Sequence, residues 1–263
     1  MPLWAFYLSP LYLAVLIVGG IELASLLGLW LFRRYVMPTI KVHDGVNDAI
    51  SGTVQAIGVF YGVTVGLLAV GVWNTWSSSS DLVSREAASI SSLYRDLSSF
   101  PNPARESLCK DLKAYTHYIS ESEWPRQQKG EVAVADCPTL ETIQTDLMTF
   151  EPTTKGQESR YSESLGAYNR MLHARSLRLD AVGAGLNNVM WCVIWCGAAI
   201  SIGVAYYFHL QDFKLHAGLV GLMAGFLGLV IFLIVANDRP FLGEISIKSD
   251  SYQLVLDTVM QAR

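Results

Sequence analysis

Four long apolar runs constrain this chain more than any other feature of its sequence. They lie at about residues 11–32, 53–73, 189–208 and 217–236. A bilayer core about 30 Å thick needs roughly 20 helical residues at 1.5 Å each, and each run has that length. The sequence therefore predicts four transmembrane helices, arranged as two pairs.

The segment between the two pairs has a different composition. Only 16% of the whole chain is charged, whereas ordinary soluble domains carry about 25% charged residues. Residues 77–186 alone contain 15 Asp and Glu and 12 Lys and Arg, a net charge of 12 − 15 = −3. That balance is typical of a soluble helical segment, and it argues against nucleic acid as a partner because nucleic-acid binding requires a basic surface.

Apolar residues in this insert recur with a helical period. The pattern predicts helices at about 84–100, 104–122, 139–150 and 157–186, the second ending at Trp124-Pro125, and an amphipathic helix at about 250–260. No helix-breaking residue follows the second run or precedes the third, so both spans are predicted to continue unbroken into the insert. The predicted fold is an all-α membrane protein with four transmembrane helices in a 2+2 arrangement around a helical extramembrane insert.

This pattern divides the chain into four parts. We expect a first transmembrane hairpin at 1–76, the insert at 77–186, a second hairpin at 187–237, and a tail at 238–263 that packs on the insert side. Basic residues near the spans normally mark the cytoplasmic side. They occur in the two short loops, as Arg33, Arg34, Lys41 and Lys214, and also near the insert, as Arg85, Arg175, Arg178 and Arg239. The charges therefore leave open which side the insert faces.

The four cysteines allow two interpretations. Cys109 and Cys137 can form a disulfide if the insert faces an oxidising compartment, or they can be two separate thiols. Cys192 and Cys196 lie one helical turn apart in the third run, where no His, Asp or Glu accompanies them. Small buried thiols are common at helix contacts, so neither a metal nor a cofactor is predicted.

Glycines follow one another at four-residue spacing in the second run, at Gly58, Gly62 and Gly66. Such a row forms a groove that allows another helix to approach closely. The row fits helix packing within one subunit, and it also fits a helix that repeats around a symmetric oligomer and lines a pore. The other candidates for pore lining or helix packing are Gln55, Phe60, Tyr61, Thr64 and Asn74. A second glycine row lies in the fourth run, at Gly218, Gly221, Gly225 and Gly228.

Charged residues inside the first run and just after the fourth run are further candidates for functional residues. Glu22 is an acidic residue well inside the first run, where a lone charge costs a few kcal/mol and often marks a functional site. It can instead be protonated, or be paired with Arg33 or Arg34. Asp238 and Arg239 follow the fourth run, where Arg239 is placed to form a membrane-exit ion pair with a carboxylate such as Glu86.

Signatures of catalysis are missing from the sequence. The five histidines are scattered, and no HExxH, GxSxG, glycine-rich phosphate loop or CxxC is present. The sequence therefore predicts that the protein is not an enzyme.

Several short motifs occur in a characteristic order along residues 47–244. They are Asn47-Asp48, the stretches 58–63, 72–73, 85–87, 93–95 and 123–125, and Asp238-Arg239-Pro240-Phe241-Leu242-Gly243-Glu244. Together they resemble the bacterial bestrophin-like family of unknown function. Its name implies a relation to bestrophins, which are oligomeric anion channels with a similar order of two spans, a cytosolic helical region and two further spans.

The resemblance implies a homo-oligomeric ion channel of the cell membrane, with the second span lining a pore for anions such as chloride. Its expected partners are the lipid bilayer, small inorganic ions and further copies of the chain. The tail lacks the clustered carboxylates of a calcium clasp, so calcium gating is not expected. Because a shared architecture does not establish function, the alternative is a non-conducting membrane sensor or scaffold that acts through its insert.

Overall fold

The computed structural model describes residues 6–40, 45–131 and 137–261. Within these ranges the regular secondary structure is helical, and no strand occurs. The α-helices are α1 (Pro10–Leu31), α2 (Val46–Leu97), α3 (Ala104–Tyr118), α4 (Trp124–Gln128), α5 (Pro138–Thr149), α6 (Lys155–Val182), α7 (Asn188–Ala205), α8 (Phe213–Asp238) and α9 (Asp250–Thr258). The chain is thus the all-α protein that its sequence predicts.

Four helical segments are long and apolar enough to cross a membrane. They are Pro10–Thr39, Val46–Leu97, Asn188–Ala205 and Phe213–Asp238. The first includes a π-helical turn, Phe32–Val36, and a 3₁₀ turn, Met37–Thr39, which extend α1. Each segment contains or overlaps one of the four predicted apolar runs, so the prediction of four candidate spans is confirmed.

The predicted continuity of the spans into the insert is right for one helix and wrong for the other. Helix α2 continues for 52 residues to Leu97 without a break. Helix α6, in contrast, ends at Val182, and α7 begins at Asn188. The side chain of Asn187 accepts a hydrogen bond from the Met190 N–H at 2.9 Å and so caps α7 as a new helix.

The predicted helix end at Trp124-Pro125 is also wrong. Helix α3 continues through a π-helical turn, Ile119–Glu123, into α4. Pro125 lies in the first turn of α4, directly after this π-helical turn.

The chain divides into two compact units, Met1–Thr75 with Gly185–Asp238, and Trp76–Ala184 with Arg239–Arg263. In the first unit, α8 packs against both α1 and α7. Leu29 of α1, Ile202 of α7 and Ala224 of α8 belong to one buried cluster. The apolar residues on the other side of these helices are largely exposed, as expected for helices that meet lipid.

The second unit has a larger core of its own. It combines the last turns of α2 with α3, α5 and α6, and it includes Leu93, Leu112, Ile143 and Met171. Tyr252, Val255 and Leu256 of α9 are buried in the same core. The amphipathic pattern of the tail therefore reflects contact with the insert helices.

Candidate functional site

One face of the apolar part of α2 is buried within the first unit. Tyr61, Val65 and Val72 lie on this face. The Tyr61 hydroxyl donates a hydrogen bond to the Ile194 carbonyl of α7 at 2.9 Å. Its ring lies so close to Gly197 that a methyl group added there would meet it at 2.3 Å. Tyr61 therefore holds α2 against α7.

The opposite face of α2 is a row of exposed apolar side chains. Phe60 is 76% exposed, Val63 59%, Leu67 68% and Val70 57%. Their spacing of three and four residues places them on one side of the helix. Asn74 continues the row and is also exposed. We call Phe60, Val63, Leu67 and Val70 the apolar row of α2.

The predicted glycine row of α2 lies beside the apolar row. Methyl groups added to Gly58, Gly62 and Gly66 would meet no neighbouring atom of the described chain within 4 Å. Gln55 precedes this row and is exposed. Thr64 is exposed as well, but its hydroxyl donates to the Phe60 carbonyl at 2.8 Å. The glycine row is therefore open, whereas the Thr64 hydroxyl is satisfied within its own helix.

The glycine row of α8 is occupied by α1 over part of its length. A methyl group added at Gly225 would lie 2.7 Å from Glu22 Oε1, and one added at Gly228 would lie 3.0 Å from the Val18 Cα. The carboxyl group of Glu22 thus packs on Gly225. The described residues offer Glu22 no ion pair, and Arg33 instead donates to the Leu210 carbonyl at 3.1 Å.

A network of buried charges lies in the second unit. Arg178, which is fully buried, donates from Nε to Glu86 Oε2, from Nη2 to Glu123 Oε1 at 2.7 Å and from Nη1 to Gln127 Oε1 at 2.9 Å. Arg175 Nη2 donates to Glu123 Oε2 at 2.8 Å. Two guanidiniums therefore balance two carboxylates at the contact of α2, α4 and α6 and the π-helical turn before α4.

Two tyrosines complete this network. Tyr252 of α9 donates to Glu86 Oε2 at 2.9 Å, and Tyr115 of α3 donates to Glu86 Oε1 at 3.3 Å. Burial raises the pKa of Tyr252 and of Tyr115 well above the ordinary value, which keeps both hydroxyls protonated as donors.

The charges in the network support one another. Burial by itself opposes ionisation of Glu123, yet Arg178 and Arg175 lower the pKa of that carboxyl below its ordinary value. Burial likewise opposes the charge of Arg178, but Glu86 and the hydrogen bonds raise the pKa of that guanidinium. Such a satisfied network is suited to fixing the positions of helices rather than to transferring protons.

Comparison with known proteins identifies the family. A family model described as the Bestrophin-like domain matches residues 19–252. The chain belongs to the bestrophin-like family. The resemblance of its motifs to that family is thereby confirmed. No curated protein sequence matches this bestrophin-like chain.

Solved structures show the same fold. A crystal structure of a bacterial bestrophin homologue from Klebsiella pneumoniae, which carries a point substitution, has a TM-score of 0.67 at 11% identity and covers 95% of this chain and 99% of its own. A second variant of that homologue has a TM-score of 0.64 at 11% identity and covers 97% and 100%. At such low identity the likeness establishes the fold alone.

Glu86, which the sequence suggests as a possible partner of Arg239 in this bestrophin-like protein, forms an ion pair with Arg178. A membrane-exit ion pair of Arg239 stays a prediction. Arg239 Nη1 donates to the Gly183 carbonyl at 3.3 Å. Asp238 Oδ1 accepts a hydrogen bond from the Leu186 N–H at 2.6 Å. These two residues thus hold the segment that precedes α7.

Arg175 and Arg178 were not among the site residues predicted from the sequence. Arg175 occupies a position within the apolar stripe predicted for residues 157–186, three residues after Leu172. A charge in an apolar stripe indicates a buried ionic contact, because an unpaired buried charge is costly. That signal could have identified Arg175, whereas its carboxylate partner could not be read from the spacing.

The four cysteines of the bestrophin-like chain are in the reduced thiol form. Cys137 is buried and Cys109 is partly buried, and neither forms a disulfide. The sulfur atoms of Cys192 and Cys196 lie 3.8 Å apart. The residues that the structure describes contain no group of three or more His, Cys, Asp and Glu side chains suited to a metal ion.

Proposed function

We propose that this protein is a homo-oligomeric anion channel whose second helix lines the pore. Membership of the bestrophin-like family supports a channel, since bestrophins are oligomeric anion channels. The observation that carries the proposal is the asymmetry of α2. Tyr61, Val65 and Val72 are buried within the chain, while the side chains of the apolar row on the other side are largely exposed.

The two open rows of α2 suit two different roles. The glycine row at Gly58, Gly62 and Gly66 gives α2 of a neighbouring subunit a surface that it can approach closely. The apolar row then faces the symmetry axis, where rings of Phe60, Val63 and Leu67 form an apolar constriction that controls wetting. Asn74 contributes a polar ring at one end of that constriction.

A pore lined by α2 also suggests roles for the other spans, the insert and the tail. The four helices span the cell membrane as two hairpins on either side of the insert in sequence. The insert and the tail lie on one side and form a vestibule. The buried network of Glu86, Glu123, Arg175 and Arg178 holds the vestibule rigid. Small inorganic anions and lipid are then the partners of the assembly.

A non-conducting sensor or scaffold is the second candidate. The observation that favours it is the fully satisfied ion network of the second unit, which gives the insert a rigid core suited to binding a partner. The two candidates differ in whether ions cross the membrane, and a flux measurement therefore separates them.

The experiment measures halide flux in liposomes that contain the purified protein. We expect flux from the wild type, and we expect Phe60→Ala to change its rate. Leu222→Ala is the matched control, because Leu222 is 75% exposed on α8 and Phe60 is 76% exposed on α2, so both lose apolar surface. Absence of halide flux from protein that elutes as a folded oligomer contradicts the channel, as does an equal effect of both substitutions.

A further inference from the structure

A groove runs between α1 and α7 in the first unit. Both helices pack on α8, and they touch each other at one end, where the Tyr206 hydroxyl donates to the Ser25 carbonyl at 2.8 Å. Beside this contact the helices leave a groove of about 260 Å³. Its walls include Ile21, Ala24 and Ser25 of α1, Trp195 and Ala199 of α7, and Tyr206 directly after α7.

The end of the groove at Tyr206 is defined by close packing. A methyl group added at Gly28 would lie 2.6 Å from the Tyr206 hydroxyl oxygen, so the tyrosine occupies the space that this glycine leaves on α1. The Tyr206 ring also lies 5.8 Å, centre to centre, from the Phe32 ring. Tyr206 therefore holds α1 and α7 apart at this end, because its ring stands between them.

The walls of the groove suit an uncharged, apolar occupant. None of the eight residues that line it is charged. The Ser25 hydroxyl donates to the Glu22 carbonyl at 3.0 Å, and the Tyr206 hydroxyl donates to Ser25, so both hydroxyls are satisfied within the chain. A buried water molecule needs polar partners, whereas apolar cavities of about 150 Å³ stay dry and bind apolar ligands. The groove therefore favours hydrocarbon over water.

The length of the groove matches one leaflet of a bilayer. Tyr206 follows Trp195 by 11 positions, which is about 16 Å along a helix. The apolar core of a bilayer is about 30 Å thick, so one leaflet contributes about half of that. Tyr206 directly follows the candidate span Asn188–Ala205, and the groove therefore runs from one surface of the apolar core towards its middle.

A lipid fits this groove better than a second copy of the chain does. A stable subunit interface involves about 20–30 residues on each side, far more than the eight that line the groove. Bulky side chains elsewhere on α1, among them Leu23, Leu27 and Trp30, are exposed and keep the backbone of another helix at a distance. The open glycine row, which allows a helix to approach closely, lies on α2 instead.

We propose that the groove between α1 and α7 binds one acyl chain of a phospholipid, whose headgroup lies at the membrane surface beyond Tyr206. The acyl chain makes dispersion contacts with both helices that a void lacks. It thereby links α7 to α1, a helix that packs mainly on α8. The site lies within one chain and does not depend on conduction, so its failure can be distinguished from failure of the proposed channel.

Phosphatidylcholine with a dibrominated acyl chain serves as the probe, because bromine quenches the fluorescence of a tryptophan that it contacts. The protein is reconstituted with this lipid and then washed with detergent to remove loosely associated lipid. We expect part of the quenching to survive the wash in the wild type and to be lost in Trp195→Phe. Trp30→Phe is the matched control, because Trp30 is 51% exposed and Trp195 40% exposed, but only Trp195 lines the groove.

The retained lipid is also counted directly. Mass spectrometry of the intact wild-type protein in detergent should show one phospholipid per chain. Ala199→Phe places a ring inside the groove and is expected to lower retention by about tenfold or more, since overpacking an occupied site costs at least the free energy of one tenfold step. Ile200→Phe is the matched control, because Ile200 is the exposed neighbour on α7 outside the groove, and it should retain lipid as the wild type does.

The wild type and Trp195→Phe decide the outcome even where Ala199→Phe fails to fold. Quenching that the wash abolishes, or that survives equally in Trp195→Phe, would overturn the proposal, as would a wild type without retained phospholipid. Equal retention by Ala199→Phe and the wild type would place the retained lipid elsewhere. A fall in molar mass for Ala199→Phe but not for Ile200→Phe would show that a second copy of the chain, rather than lipid, covers the groove.

Discussion

The glycine rows of α2 and α8 have similar spacings and opposite surroundings. In α8, Gly225 and Gly228 lie against Glu22 and Val18 of α1. In α2, methyl groups added at Gly58, Gly62 and Gly66 would meet no described neighbour within 4 Å. The α8 row therefore belongs to the folding of a single chain, whereas the α2 row is available to a second copy. The glycine row of α8 thus serves helix packing within one chain, whereas the glycine row of α2 is left for packing between chains.

The largest effect is expected at Gly228. Gly228→Leu introduces a side chain whose first carbon would lie 3.0 Å from the Val18 Cα, and a backbone atom cannot move away as a side chain can. We expect a loss of stability of about 1–3 kcal/mol or more, as in other overpacked sites. Thermal unfolding in detergent measures it.

Gly58→Leu is the control for Gly228→Leu, since Gly58 has open space in the single chain. An equal fall in melting temperature for both variants in the monomeric state would show that the two rows do not differ as we describe.

The next effect concerns assembly. Gly62→Leu should leave the helical content of the protein unchanged and shift the oligomer towards monomer, because the added side chain prevents close approach of a neighbouring helix. Size-exclusion chromatography with light scattering in mild detergent measures the molar mass. An unchanged oligomer in Gly62→Leu excludes the glycine row of α2 from the subunit interface.

A smaller effect is expected within the apolar row. Leu67→Ser should raise halide flux, because a polar ring wets an apolar constriction. The liposome assay provides the measurement, with Leu233→Ser on α8, also exposed, as the control. A response of Leu233→Ser as large as that of Leu67→Ser would place the apolar row of α2 in lipid.

The smallest effect is expected on the buried face of α2. Tyr61→Phe removes one hydrogen bond to the Ile194 carbonyl and should cost about 1 kcal/mol of stability. Halide flux should stay unchanged because the ring still fills the space beside Gly197. A large change in flux with unchanged stability would place Tyr61 in the pore instead.

The features predicted correctly are those that depend on local sequence. Apolar runs of sufficient length define the four candidate spans, and a helical period defines the insert helices, since both are properties of neighbouring residues. The break between α6 and α7 was missed. Gly183, the C-cap of α6, and Asn187, the N-cap of α7, are recognisable end and start signals, but the prediction of a continuous helix gave them no weight.

The site was harder to predict because its contacts are distant in sequence. Glu86 and Arg178 are 92 positions apart, and no spacing rule connects them. Tyr61 looks like a polar pore residue until its hydroxyl is seen to bond Ile194. The exposure of Phe60 and the space beside Gly62 likewise depend on which face α7 covers.

The most direct test of the open face is the reaction of a single cysteine on α2. Val63→Cys is prepared with Cys192→Ser and Cys196→Ser, which remove the two exposed native thiols, and halide flux is measured before and after a water-soluble thiol reagent. We expect the reagent to block flux through Val63→Cys but not through Leu222→Cys in the same background. Flux that the reagent leaves unchanged at Val63→Cys, despite complete labelling, would contradict a pore lined by α2.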